Sequence, residues 1–474
     1  MNPESTANHA GNNYQSFADA FGISALEETY NDLLRSHHDA YLDAPRIAQG
    51  SDRLTRALFE RQRQLHLAAA SRQVLTGRYR FSPFLERQIP KETGVDQRTI
   101  SVGKIRDVVV QRALYKYLYD AVDDRLTDSV FAYRRRLSAH DAITAIQKHF
   151  AAGRVHVFDA DLRGFFDSLQ HDTLRRLIED LPVDERARHL AWRFCRAARI
   201  TAETARTTLP GTRFPTTSRQ RGVPQGGVLS GLLANLYLAS MDQAVLAEGG
   251  ALVRYADDFV VCCASKDDCS RMRSVVEAAL RPLAIDLHPQ KTRDCVDATR
   301  GLEFLGFELR PGVVRVRPQN VARFKQRVTK LSEQCNQKHF TSSSDALRWL
   351  CRRVGLKVTG PRAPHIDRMI EKGLASHRER RSWIGFFRVV TDEGQIRRLD
   401  RWIRAQISAH MWRHHRTRIR LTHMQAAGLP SLFGQLWKAR APGTVSSANP
   451  QPSSTPSRHH QPRHLDKRPD RRTM

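Results

Sequence analysis

Cysteine is scarce in this chain and badly placed for chemistry. Seven cysteines among 474 residues, odd in number and nowhere spaced as CxxC, give neither a disulfide framework nor a zinc site. Cys262 and Cys263 sit in an apolar run and read as packing residues. Long apolar stretches are missing too, because none reaches the roughly 20 residues that span a bilayer. The opening segment MNPESTANHAGNNYQSF has neither the basic start nor the apolar core of a secretory signal. These absences predict a cytoplasmic protein with reduced thiols and no membrane partner. Acid is the remaining shortage: 49 Asp and Glu face 77 Lys and Arg, a formal net charge of +28. That is far more than solubility requires.

Arg outnumbers Lys, and a guanidinium fork matches phosphate oxygens two bonds at a time, so the partner should be a polyanion, nucleic acid first. The charge runs along the whole chain instead of gathering on one amphipathic helix, which disfavours a membrane surface. A 40% hydrophobic share is enough to core two or three folding units at this length. No solenoid-type repeat is visible.

Polar residues 1–16 and the Ser-, Pro-, His- and Arg-rich segment from Ala441 have little to bury and read as tails. From Phe17 to about Leu75 the apolar spacing is helical, through Leu26, Tyr30, Leu33 and Leu34. Tyr79 to Val102, with Pro83, Pro90 and Gly94, reads as strand, turn and strand. Val108 to Val122 returns to helical spacing, and Ser138 with Asp141 has the form of a helix cap. VHVFDADL (155–162) is a buried strand, Ser230 to Leu246 a long apolar helix, and ALVRY with FVVCCA a hairpin around Ala256, Asp257 and Asp258. A helix over Asp267 to Leu283 and a β-rich stretch from Gly301 to Val316 follow. From Pro318 the chain turns helical and basic, with Val321, Phe324, Val328 and Leu331 on one stripe, and a last helix runs from about Gln395 to Trp412.

The hairpin carries the chemistry. Two adjacent carboxylates at the tip of apolar strands repel each other and lose hydration, unless a cation relieves them. Asp161, at the end of the VHVFDADL strand, is a third carboxylate that a small sheet could bring alongside. Two or three hard oxygen ligands with open positions suit Mg²⁺. A pair of such ions about 4 Å apart serves phosphoryl transfer, the chemistry of polymerases and nucleases.

FDADLRGFFDSL (158–169), RGVPQGGVLSGLLANLYLASMD (221–242), VRYADDFVV (253–261), LHPQKT (287–292) and EFLGF (303–307) stand in the order of the palm motifs of reverse transcriptases. Their wording resembles that of the group II intron and related bacterial enzymes. IPK (89–91), IRDVVVQRAL (105–114) and FAYRRRLSAHDAI (131–143) look like the fingers motifs, and WIGFFRVV (383–390) with LDRWIRAQISAHMW (399–412) like the thumb, or maturase X, region. The resemblance implies an α+β fold of right-hand polymerase architecture, with fingers and a palm built on a small antiparallel sheet, followed by an all-α thumb. The implied division is a tail at 1–16, a helical extension at 17–78, fingers and palm at 79–316, thumb at 317–440 and a basic tail at 441–474.

It also implies roles. Asp161, the carbonyl of Leu162, Asp257 and Asp258 would hold two Mg²⁺ ions, with Mn²⁺ a substitute, so that a primer 3′-hydroxyl attacks the α-phosphate of a dNTP. Phe166 matches the ring that lies under the incoming sugar and rejects a 2′-hydroxyl. Gln225 and Gly226 would lie near the template base and the dNTP, and Lys291 would meet the pyrophosphate leaving group. Arg98, Lys104 and Arg106 are the fingers residues available to the triphosphate. Arg323, Lys325, Arg327, Arg401 and Arg404 would grip the RNA template and DNA primer through the backbone, a salt-sensitive contact. A structured intron RNA is the further partner of a maturase, in a bacterial cytoplasm with nucleoid association.

Three departures from the family pattern stand out: Val108 follows Arg106-Asp107 where RDR is usual, SGLL (230–233) replaces SPLL, and Tyr133 to Arg136 replace a Phe-Arg-Pro-Gly turn. No cysteine follows Cys351, so an endonuclease domain with paired cysteines is not expected, nor is an integrase, RNase H or Cas1-like extension. Two rival readings share these motifs: a domesticated relative in phage defence, a CRISPR locus or repair, and an RNA-binding splicing cofactor in which polymerisation is incidental. Three costly clustered carboxylates argue against the second.

Overall fold

The structure, a computed structural model, describes residues 16–36, 38–39, 44–45, 49–90, 97–208, 215–360 and 382–440. The expected tails at 1–16 and 441–474 lie outside these residues, Ser16 excepted, as does Lys91 of the IPK motif.

The amino-terminal part is helical but broken. It holds α1 (Phe17–Phe21), α2 (Ile23–Ser36), the two-residue strands β1 (His38–Asp39) and β2 (Ala44–Pro45), then α3 (Arg56–Arg61) and α4 (Arg63–Leu75). The hairpin β3 (Phe84–Pro90) and β4 (Gln97–Val102) leads into α5 (Ile105–Asp123), α6 (Ala139–Ala151) and β5 (His156–Asp161). Ser138 is the N-cap residue of α6, but its hydroxyl donates to the Asp141 carboxylate at 2.6 Å and caps no amide.

Next come α7 (Phe165–Ser168), α8 (His171–Glu179), α9 (Glu185–Cys195), β6 (Arg199–Thr201) and α10 (Ala202–Thr207), none of which periodicity marked. Beyond them the chain forms α11 (Ser230–Ala247), β7 (Ala251–Tyr255), β8 (Asp258–Cys263), α12 (Lys266–Leu280) and β9 (Arg293–Asp297). The short strands β10 (Leu302–Phe304), β11 (Phe307–Arg310) and β12 (Val313–Val316) precede a run of helices. These are α13 (Pro318–Asn336), α14 (Ser343–Thr359), α15 (Trp383–Phe386), α16 (Glu393–His415), α17 (Leu421–Ala426) and α18 (Leu432–Arg440). Local chemistry sets several boundaries: Pro318 opens α13, and the side chains of Ser342 and Asp392 accept the amides of Asp345 and Gln395 to start α14 and α16.

The central sheet has the order β7-β8-β5-β9, with antiparallel pairing throughout. Successive side chains of a strand point to opposite faces, and here the two faces feed two different cores. Phe158, Ala160, Phe259 and Val261 pack with α5, α9, α11 and α12. Val157, Val253, Val260 and Cys262 pack with α6, β10 to β12 and the carboxy-terminal helices. The sheet is therefore a partition, and being covered on both sides explains why its strands read as continuous apolar runs. Strand β9 is the exception: RDCVD lies on the sheet edge and is largely polar, so no alternation announced it.

The second core ties the basic helices to the sheet. Phe386 of α15 stacks on Phe307 of β11, Trp383 packs on Phe324 of α13, and Arg315 of β12 pairs with Asp392 at 2.7 Å. The α+β class, with small antiparallel sheets followed by an all-helical region, is the one the sequence predicts. Among the described residues no helix is long and apolar enough to cross a membrane.

Candidate active site

Asp161 closes β5 and Asp258 opens β8, and the two are direct partners in the ladder. The turn between β7 and β8 is only Ala256 and Asp257, because Tyr255 pairs with Asp258. Ala256 takes a φ of +64°, a left-handed conformation common in two-residue hairpin turns. The Leu162 amide donates to the Asp257 carbonyl at 3.3 Å, drawing the turn onto the end of β5. The three carboxylates expected from the sequence are thus brought together, with Leu162 buried against them.

The turn is braced from beneath by Arg254, which is fully buried. Its guanidinium pairs with Asp242 of α11 at 2.7 and 2.5 Å, donates to the Asn235 side chain at 2.9 Å, and donates to the Ala256 carbonyl at 3.1 Å. Sequence reasoning missed this residue. The available signal was a lone arginine inside the apolar ALVRY strand, which can be buried only with a partner.

Burial raises the pKa of Asp257, and the charge of Asp161 pushes it further the same way. Asp258 rises to about 7, through burial first and then the charges of Asp161, Asp159 and Asp257. Lys291, just before β9, forms an ion pair with Asp161. Burial alone would weaken its hold on the proton, but Asp161, with Asp258 and Asp257 behind it, more than offsets this, so its pKa is raised. Two residues on, Arg293 neutralises Asp159, with Nε at 2.7 Å. The polar edge strand and the turn leading into it therefore carry both cations that hold the acidic end of the sheet.

This donor set fits a hard divalent cation: oxygen ligands only, crowded so that ionisation is disfavoured until positive charge arrives. Among the described residues no three His, Cys, Asp or Glu side chains converge as a ready-made cage. Lys291 stands against one of the carboxylates instead.

Phe166 lies in the short helix α7, half-buried, with its ring against Phe165 at 5.6 Å. The Val223 amide donates to the Phe166 carbonyl at 2.8 Å, which tethers the PQGG loop to α7. Gly222 makes that closeness achievable: its φ is +73°, and a Cβ there would lie 2.6 Å from the Phe166 carbonyl oxygen. On its other side the loop is held by the Ser101 amide of β4, which donates to the Gln225 carbonyl at 2.7 Å, and by Gln111 of α5, which accepts the Val228 amide at 3.0 Å. Gly226 is exposed at a φ of +97°.

The three cations that the sequence offers to a triphosphate, Arg98, Lys104 and Arg106, differ in their surroundings. Arg106 lies over the Tyr79 ring at 5.5 Å and pairs with Asp107 at 3.7 Å. Arg98 is exposed on β4, and Lys104 stands at the N-cap of α5.

The family model for reverse transcriptase (RNA-dependent DNA polymerase) matches residues 89–309. Residues 89–309 are a reverse transcriptase domain. Protein YkfC of Escherichia coli (strain K12) is 25% identical over 66% of this chain and 87% of its own. The group II intron-encoded protein LtrA of Lactococcus lactis subsp. cremoris is 29% identical over 36% of this chain, and the match takes in only 26% of LtrA. Telomerase from Candida albicans, solved with a fragment of telomeric RNA, superposes with a TM-score of 0.41 at 12% identity, over 78% of this chain and 67% of that one. The central sheet lies within this domain, and the three carboxylates stand at one end of it.

Beyond the domain, the residues expected to contact nucleic acid differ in their surroundings. Lys325 of α13 lies over the Trp402 ring at 5.3 Å, while Arg327 is exposed and Arg323 half-buried. Arg401 and Arg404 line a cleft of about 400 Å³ with Arg397, between α16 and the helices that follow. Arg404 also reaches Asp400 at 3.8 Å.

Proposed function

We propose that this chain is an RNA-directed DNA polymerase that extends a DNA primer on an RNA template with dNTPs. The observation that carries the reading is the meeting of Asp161, Asp257 and Asp258 at one end of the palm sheet of a reverse transcriptase domain.

Asp161, the Leu162 carbonyl, Asp257 and Asp258 would hold two Mg²⁺ ions, or Mn²⁺ in their place. Bound there, such a pair supplies activation of the attacking hydroxyl and neutralisation of the leaving oxygen. The chain's own groups do the rest. Arg254 keeps the Asp257 turn in place through the Ala256 carbonyl. Lys291, protonated and tethered to Asp161, is positioned to give a proton to the departing pyrophosphate. The Phe166 ring forms the floor under the sugar, and the Gln225-Gly226 backbone lies where the template base and the dNTP meet. Arg98 and Lys104 are better placed than Arg106 for the triphosphate, because the Arg106 guanidinium is engaged with Tyr79 and Asp107.

The fingers and palm occupy 79–316, after a helical extension at 17–78, and the thumb occupies 317–440. There Arg323, Lys325, Arg327, Arg401 and Arg404 grip the duplex backbone. The likeness to a group II intron-encoded protein supports a maturase role, with a structured intron RNA as partner in a bacterial cytoplasm.

Primer extension on an RNA template with Mg²⁺ tests the reading. Wild type should incorporate dNTPs, and Asp257→Ala should abolish incorporation. No incorporation by wild type, or equal incorporation by the variant, would instead favour an RNA-binding splicing cofactor.

A further inference from the structure

Two of the departures from the family pattern, at Tyr133 to Arg136 and at Gly231, meet in space. The Tyr133 ring lies flat on Gly231 in the first turn of α11, and a Cβ at Gly231 would stand 2.4 Å from the ring's Cγ and Cδ1. No side chain, proline included, fits at 231 while Tyr133 holds this position.

The conformation is held firmly. Tyr133 and Arg136 have φ of +60° and +67°, which non-glycine residues adopt only when their surroundings impose it. Arg134 makes a two-pronged pair with Asp123 at 2.7 and 3.1 Å and donates to the Thr127 carbonyl at 2.7 Å. The Arg135 amide donates to the Tyr119 hydroxyl at 2.6 Å, and its guanidinium sits 4.0 Å over the Tyr119 ring. Asn235 of α11 donates to the Ala132 carbonyl at 2.8 Å, and Tyr115 donates to the Tyr133 carbonyl at 3.3 Å.

So fixed, Tyr133 reaches the active site. Its ring stands edge-on to Phe166, with centroids 6.5 Å apart and planes at 85°. Burial, and behind it the charge of Asp257, pushes the pKa of its hydroxyl up to about 12. Yet the residue remains 45% exposed, a large aromatic surface left open.

We propose that Tyr133, seated on Gly231, is a second wall of the nucleotide-sugar pocket, acting with Phe166 to exclude ribonucleotides. The inference rests on the polymerase reading above. Two rings at right angles enclose a corner, and neither face offers a 2′-hydroxyl a hydrogen bond or room. Binding a ribonucleotide there would bury that hydroxyl unpaired.

The test is single-nucleotide extension on an RNA template, read as the ratio of kcat/KM for dNTP over the matching rNTP. Tyr133→Ala should lower that ratio by about tenfold or more, while Tyr133→Phe, which keeps the ring, should hold it near the wild-type value. Gly231→Ala alone should cost at least about tenfold in dNTP incorporation, because its methyl group displaces the ring. Tyr133→Ala combined with Gly231→Ala should recover most of that loss but not the discrimination. A Tyr133→Ala enzyme that incorporates dNTPs with the wild-type ratio overturns the inference and leaves the polymerase reading standing. A wild-type enzyme that incorporates no nucleotide overturns both.

Discussion

Asp161 and Asp258 are partners across the last rung of the β5–β8 ladder. Like charges directly opposite each other in a sheet are destabilising, and this pair also shares its surroundings with Asp257 and Asp159. Its presence costs the metal-free protein stability.

That cost sets a pH dependence with a definite sign. The Asp258 pKa is raised to about 7 in the folded chain, so between the ordinary carboxylate value and about 7 the folded state binds the extra proton. Stability then falls as pH rises through this window, by up to about 4 kcal/mol for this group alone. Melting in EDTA from pH 4.5 to 8 should show the decline superimposed on the protein's other titrations, and Asp258→Asn should flatten it. Millimolar Mg²⁺ should raise Tm more at pH 8 than at pH 5.5. An Asp258→Asn profile parallel to wild type would count against the cause given.

Lys291 occupies the Asp161 carboxylate, and so it balances the acid and would compete with a metal for it. Lys291→Met should lower kcat by about a hundredfold if it serves as proton donor, and lower the Mg²⁺ concentration needed for half-maximal rate. Steady-state rates across a Mg²⁺ titration read both. A wild-type kcat in the variant would remove Lys291 from the chemistry.

Arg254 separates stability from positioning. Arg254→Met leaves Asp242 buried and unpaired, at a cost of about 3 to 5 kcal/mol. Replacing Asp242 by leucine in the same protein should restore most of the Tm, because a buried ion pair exchanged for apolar packing is often close to neutral. It should not restore kcat, since the Ala256 carbonyl still lacks its donor. Recovery of both would mean that the arginine serves packing alone.

Gly222 links the PQGG loop to Phe166. Gly222→Ala meets both a φ of +73° and a carbonyl oxygen 2.6 Å away, so it should destabilise by about 1 to 3 kcal/mol. Its KM for dNTP should rise because Gln225 and Phe166 lose their common anchor. Unchanged KM with a lowered Tm would confine the glycine to a structural part.

The contacts proposed for the carboxy-terminal helices are read by salt. Arg327→Gln and Arg401→Gln should each reduce the slope of log affinity against log salt for an RNA–DNA duplex by roughly 0.7 to 0.9. A slope unaltered by either change would place the duplex elsewhere.

Much of this was legible in the residues. The long helices α5, α11, α13 and α16, the strand ending in Asp161 and the hairpin bearing Asp257 and Asp258 follow from local periodicity and turn chemistry, which act between near neighbours. The acid cluster was legible too, because carboxylates flanked by apolar strands need a cation wherever the strands lie. Other features depend on residues far apart in the chain. Edge strand β9 is polar and has no pattern of its own, yet it delivers Lys291 to Asp161 and Arg293 to Asp159, more than 100 residues away. The division of the central sheet's two faces between separate cores needed both covering layers in place. The sequence shows Tyr133 and Gly231 as two unrelated oddities; only packing, where two atoms cannot share one volume, joins them in a single contact.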